Sequence, residues 1–317
     1  MTAYRNHLPQ AQGHTLLTDG GLETTLIFED GFDLPEFASF PLLESEAGCE
    51  ALRAYYRRYA EVAAGQGVGI VLDTPTWRAS TDWGAVLGYD PDALAQINRA
   101  AVQLVEEIRR EFEPHGTPVV ISGNIGPRGD GYDPGEQMSA AEATAIHAAQ
   151  ISTFAETNAD LVTALTKTYL DEAIGVARSA TAHAKPAVIS YTVETDGNLP
   201  TGHPLGEAIT QVDAATHGAP VAFGVNCAHP DHFSETFERG GDWVNRIGLV
   251  RANASRMSHE ELDNAEELDV GDRNELAQLY AELRTLAPGL RVMGGCCGTD
   301  HDHIHEIGRA CMAPVGA

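Results

Sequence analysis

Residues 159–193 read "ADLVTALTKTYLDEAIGVARSATAHAKPAVISYTV". The stretch opens on an apolar run (159–166), continues through "YLDEAIGVARSATAHA" with apolar residues at helical spacing, and closes on a second β-branched run (187–193). A strand, a helix-length crossover and another strand make a unit whose two strands lie parallel, because a parallel pair needs a connection of about a dozen residues or more. The same alternation runs outward in both directions. Further candidate strands are 15–21, 69–75, 119–126, 222–227, 246–254 and 291–297, which makes eight, and a segment of helical periodicity follows each. Eight alternating β and α segments predict an α/β fold, a (β/α)8 TIM barrel forming a single domain over residues 1–317. A doubly wound open sheet is the competing architecture, but "DGGLETT" after the first strand lacks the GxGxxG spacing of its phosphate turn. The loop-like segments 194–206 and 127–137 read as long connections over the barrel mouth.

The 317 residues carry 20 Lys and Arg against 46 Asp and Glu, a formal charge of −26, which argues against a nucleic-acid or anionic membrane partner. No run of about 18 apolar residues occurs, so no membrane span is expected. The N-terminus lacks the basic and apolar regions of a signal peptide. Five cysteines are too few, and odd in number, for a disulfide framework, so a reducing cytoplasmic setting is expected.

Chemistry in such a barrel belongs at the C-terminal strand ends. Cys227 stands at the end of the sixth strand, and the vicinal pair Cys296–Cys297 at the end of the eighth. Three thiolates from two strand ends suit a tetrahedral zinc site with one open position; the alternative is a set of small buried hydrophobes. Gly294, Gly295 and Gly298 clear room for a turn carrying two ligands in succession. Cys49 and Cys311 fall within helices and read as structural. The "DHDHIHEIG" segment is a rival source of ligands, but reads as the start of the last helix with Thr299 or Asp300 as N-cap. The other strand ends offer Asp19, Gly20, Thr74, Thr76, Trp77, Asn124, Thr166, Ser190, Asn226 and Asn253, side chains and backbone able to bind a zwitterion, or to serve as ordinary turn formers.

"DGG", "GVNC" and "GGCC" in this order resemble the homocysteine S-methyltransferase family. The similarity extends through "LLTDGGLETTL", "DTPTWRAS", "GNIGPRGD", "ADLVTALTKTYLDEA", "ISYTVETDGNLPTGHPL" and "VRANAS". The resemblance implies Cys227, Cys296 and Cys297 as zinc ligands and Asp19 as a contact to an amino-acid substrate. It also implies methyl transfer from a small sulfonium or quaternary ammonium donor to a thiol, homocysteine by default, giving methionine. The aromatic rings of Trp77 and Tyr191, and after them Trp83 and Tyr132, are candidates for contact with the methylated cation.

The chain departs from the family at the end of the fourth strand, where a substrate-binding glutamate is common and Leu165 stands here. Pro75 departs in the second strand. Asp19, Glu23 or Asp73 is then expected to receive the substrate's ammonium group. A different thiol or selenol acceptor, or demethylation of another metabolite, is the alternative; a noncatalytic barrel with structural or no zinc is the alternative of another class. The expected partners are a small thiol and a methyl donor, and the oligomeric state, a homo-oligomer included, is left open.

Overall fold

A computed structural model describes residues 3–312 except residue 266. Eight parallel strands close into a barrel in sequence order: β1 (Leu16–Thr18), β2 (Gly69–Asp73), β3 (Val119–Ile125), β4 (Leu161–Lys167), β5 (Ala187–Tyr191), β6 (Ala222–Asn226), β7 (Ile247–Ala252) and β8 (Val292–Gly295). Closure comes from β1 against β8, with Leu16 opposite Val292. The predicted (β/α)8 barrel is therefore the fold, with strand ends that differ from the sequence reading by a few residues at most. "DGG" leaves β1 after Thr18 because its glycines enter the turn to the helix Leu22–Phe28. That helix, Thr81–Leu87 and His259–Asp263 are short insertions that periodicity over long windows does not reveal.

The strands are buried on both faces, which explains their continuous apolar runs. Leu17, Ile70, Leu72, Ile121, Val162, Ile189, Val225, Val250 and Met293 face outward into the main core under the helices. Leu16, Val71, Val120, Leu161, Val188, Leu249 and Val292 face inward and fill the barrel's lower layer. The inward layer above them is polar, holding Thr18, Asp73, Ser122, Thr163, Ser190 and Arg251. Strand alternation thus puts the chemistry toward the C-terminal ends.

Local signals fix the helices that brace this end. Ser45 accepts a hydrogen bond from Gly48 N at 3.0 Å and opens the helix Glu46–Gly65. Its buried face carries Leu52, Tyr55, Tyr56 and Tyr59 at spacings of three and four. Two of these tyrosines reach the strand ends, Tyr55 donating to Asp19 at 3.1 Å and Tyr56 to the Asp73 carbonyl at 2.8 Å. The last helix, His301–Met312, begins as expected: Asp300 accepts from His303 N at 3.0 Å, and the histidines belong to the helix.

Behind β4, Lys167 is fully buried and donates to the Gly126 carbonyl at 2.6 Å and to Glu172 at 3.3 Å. Glu172 also bonds His147 at 2.9 Å and accepts from Arg128 N at 2.8 Å. Burial alone would raise its carboxyl; the Lys167 charge and the His147 bond hold it down to about 2. This group ties the end of β4 to the loop after β3.

Candidate metal and substrate site

The barrel mouth opens into a cavity of about 410 Å³. Cys227 leaves β6, and Cys296 and Cys297 follow β8; their three Sγ atoms lie within 4.8 Å of one another. The Cys227 and Cys296 sulfurs lie in direct contact, with Cα atoms 5.4 Å apart. The reason is local: two strand ends point their sulfur atoms at the same spot. Metal binding requires this pair in its reduced form.

Backbone conformation holds the cluster in place. Cys227 adopts φ +55°, and Thr166 at the end of β4 adopts φ +58°, both unusual for residues with a side chain. Asn226 supports the Thr166 conformation by accepting from its N–H and donating to its hydroxyl, each at 2.8 Å. Strain of this kind persists only where surrounding bonds over-determine it. On β8, a Cβ on Gly295 would overlap the Thr299 hydroxyl, and Gly298 sits at φ +77°. The turn is pinned by Cys296 N to Ala252 O (2.8 Å), Ala254 N to Cys297 O (3.1 Å) and Thr299 Oγ1 to Cys296 O (2.7 Å).

The free Cys297 thiol is pushed up to about 11, by burial first and by the nearby Glu23 carboxylate second. Tyr132, from the loop after β3, places its hydroxyl beside Cys297 and Asn253, and its own pKa is driven well above the usual range by burial. The Tyr132 ring stacks on His259 at 3.9 Å, which docks that loop onto the segment after β7.

Of the sequence-predicted contacts, Asp19, Gly20, Glu23, Thr74, Trp77, Thr166 and Asn226 line the cavity, together with all three cysteines. Glu23 accepts from Ser39 at 2.8 Å, and its carboxyl is raised chiefly by burial. Thr76, Ser190, Tyr191 and Asn253 do not line it. The Thr76 hydroxyl braces the Asn124 carbonyl at 2.8 Å. Ser190 lies inside the barrel below the cavity. Tyr191 is corrected most clearly: with Ser190 facing inward, its neighbour faces outward into the main core, away from any ligand. Trp77 reaches the cavity, but the guanidinium of Arg78 occupies one ring face at 4.1 Å and stacks on Trp83 at 3.7 Å.

Sequence reasoning left Arg251 unassigned. It lies buried at the cavity floor, paired with Asp19 at 3.0 Å and with Asp73, and donates to the Gly20 (3.0 Å) and Gly295 (2.9 Å) carbonyls. Burial opposes its charge, yet the two carboxylates hold its pKa above the ordinary arginine value. The available signal was parity: residue 251 stands two past the inward Leu249 on the same strand. Leu165, where the family glutamate was expected, also lines the cavity. No described helix is long and apolar enough to cross a membrane.

Residues 16–311 match the sequence profile of the homocysteine S-methyltransferase family. The homocysteine S-methyltransferase YbgG of Bacillus subtilis (strain 168) is 25% identical over 249 residues, covering 74% of this chain and 76% of YbgG. Crystal structures of the homocysteine methyltransferase MmuM from Escherichia coli share the fold. Its oxidised form superposes with a TM-score of 0.74 at 20% identity, covering 92% of this chain and 94% of MmuM. The metallated form gives 0.74 at 19%, covering 96% and 99%. With the profile spanning nearly the whole barrel, this chain belongs to the homocysteine S-methyltransferase family and is a methyltransferase.

Proposed function

We propose that the protein is a zinc-dependent S-methyltransferase that moves a methyl group from a small sulfonium or quaternary ammonium donor to a thiol, with homocysteine the default acceptor and methionine the product. The observation that carries this reading is the convergence of Cys227, Cys296 and Cys297 on one wall of the mouth cavity. Their donor set fits zinc: three sulfurs from two strand ends, and no fourth Cys, His or carboxylate in the cluster among the described residues. The related MmuM exists in a metallated form, which supports a metal-binding reading.

Bound there, zinc supplies the Lewis acidity that makes a thiol ionise at neutral pH, where a free thiol with pKa near 8.5 is mostly protonated. The remaining work falls to the chain. The Asn226–Thr166 pair and the glycine turn after β8 hold the three sulfurs in fixed relation, so little reorganisation accompanies reaction. The cavity walls position the acceptor sulfur against the donor methyl. With the acceptor's S–H proton released to solvent on ionisation, a new C–S bond forms as the methyl carbon's bond to the onium atom breaks; the leaving group departs as a neutral sulfide or amine, and no protein base is required. Phe28, Phe37, Leu262 and Leu268 give the upper cavity an apolar wall. Asp130, Asp263 and Asp269 also line it and favour a cationic donor.

Incubating reduced, zinc-loaded protein with homocysteine and a panel of onium donors, S-methylmethionine and betaine among them, is expected to yield methionine with at least one. No methionine with every donor would reject homocysteine as acceptor.

A further inference from the structure

The floor of the mouth cavity holds two buried oxygen acceptors to which no donor is directed among the described residues. Arg251 directs four of its five N–H bonds at Asp19, Asp73 and the Gly20 and Gly295 carbonyls. Asp73 Oδ1 and Asn124 Oδ1 have no hydrogen-bond partner among the described residues, although both side chains are at least nine-tenths buried and both line the cavity. Among the described residues the Asn124 carboxamide makes no side-chain hydrogen bond; the bonds at this residue run through its backbone, with Asn124 N donating to Thr74 Oγ1 at 3.0 Å. Ser122, the interior hydroxyl between the two, shares a hydrogen bond with Thr163 at 2.7 Å and lies beside Asp73, leaving Asn124 Oδ1 without a donor. The residues are diagonal neighbours on one interior face, since Asp73 stands opposite Ser122 in the β2–β3 register and Asn124 lies two residues further.

A buried acceptor left alone costs free energy, so such a pair is built for a ligand that brings donors. The charge specifies the donor. Arg251 with Asp19 and Asp73 sums to +1 − 2 = −1, and Glu23 on the same wall adds another carboxylate. An anionic group is repelled there. A primary ammonium, with three N–H bonds and a positive charge, satisfies both acceptors and the field.

We infer that Asp73 and Asn124 form the subsite for the acceptor's ammonium group, selecting an aminothiol over a thiol that lacks the amine, with Leu165 on the cavity wall leaving that task to β2 and β3. The inference rests on the thiol-methylation reading above. It moves the recognition charge from the fourth strand to the second, beneath the mouth rather than beside it. Asp19 and Glu23, the other two carboxylates considered, already accept hydrogen bonds from Tyr55 and Ser39.

The test compares L-homocysteine with 4-mercaptobutanoate, which lacks only the amine, on zinc-loaded wild type, Asn124→Leu and Asp73→Asn. Calorimetric binding and kcat/KM for methyl transfer are read for each. Wild type is expected to prefer homocysteine by about 10- to 100-fold, the worth of hydrogen bonds to a charged group. Asn124→Leu is expected to lose most of that preference while its affinity for 4-mercaptobutanoate changes less than about two-fold. A purely structural role would weaken both thiols equally, and that result overturns the inference, as does a wild type that does not distinguish them. Preferential binding of the amine without any methyl transfer would instead reject the methyltransferase reading and leave the subsite standing. Asp73→Asn keeps a residue of the same size beside Arg251, so unchanged discrimination in both variants also counts against the assignment.

Discussion

Cys297→Ser is expected to lower zinc affinity by more than about 100-fold, because removing a ligand costs more than the 10- to 100-fold typical of its outer-shell partners. Methyl transfer is expected to fall with it. Without the metal, an acceptor thiol with an ordinary pKa is about 3% ionised at pH 7, which alone costs about 30-fold. Loss of the fixed position of the sulfur adds to this. Zinc bound per chain after a chelator challenge, measured with initial rates on the same preparation, checks both effects. Full zinc occupancy and full activity in the variant would remove Cys297 from the centre.

Arg251→Met is expected to destabilise the fold by about 3–5 kcal/mol, the cost of leaving buried charges uncompensated. Asp19 and Asp73 would lose their counter-ion, and two backbone carbonyls their donor. In a barrel of this size the melting temperature should fall on the order of 10 °C. The loss has a pH signature. The Asp73 carboxyl already lies above its usual value, through burial first, with Arg251 opposing and Asp19 adding to the rise. A carboxyl raised on folding stabilises below its unfolded pKa, and that contribution is lost as pH rises through the folded value. Removing Arg251 raises Asp73 further, so the deficit should be smallest near pH 4 and grow toward neutrality. Thermal melts of both proteins across pH 4–8 read this directly, and a deficit independent of pH would contradict the buried ion-pair account.

The barrel was legible because parallel strands buried on both faces leave continuous apolar runs, and eight such runs alternate with helical segments. The insertion Thr81–Leu87 stayed hidden because seven residues span too few turns to set a period. The three cysteines were legible as strand-end residues. Tyr191 was misplaced because its position near a strand end was weighed without its parity: Ser190 faces the barrel, so its neighbour cannot. Arg251 and its pairing with Asp73 escaped assignment for a different reason. Their partnership spans 178 residues of sequence, and only barrel closure brings β2 and β7 to opposite sides of one floor. Thr166 and Cys227 show no sequence signal for their positive φ; that conformation comes from Asn226 and from the Cys227 N bond to the Arg251 carbonyl at 3.1 Å.

The central claim is that Cys227, Cys296 and Cys297 form one zinc centre at the barrel mouth. Alkylation of the reduced protein with and without stoichiometric zinc, mapped to individual cysteines by mass spectrometry, tests it most directly. The account predicts that zinc protects these three thiols together and leaves the labelling of Cys49 unchanged. Stoichiometric zinc with any of the three still freely labelled would contradict it.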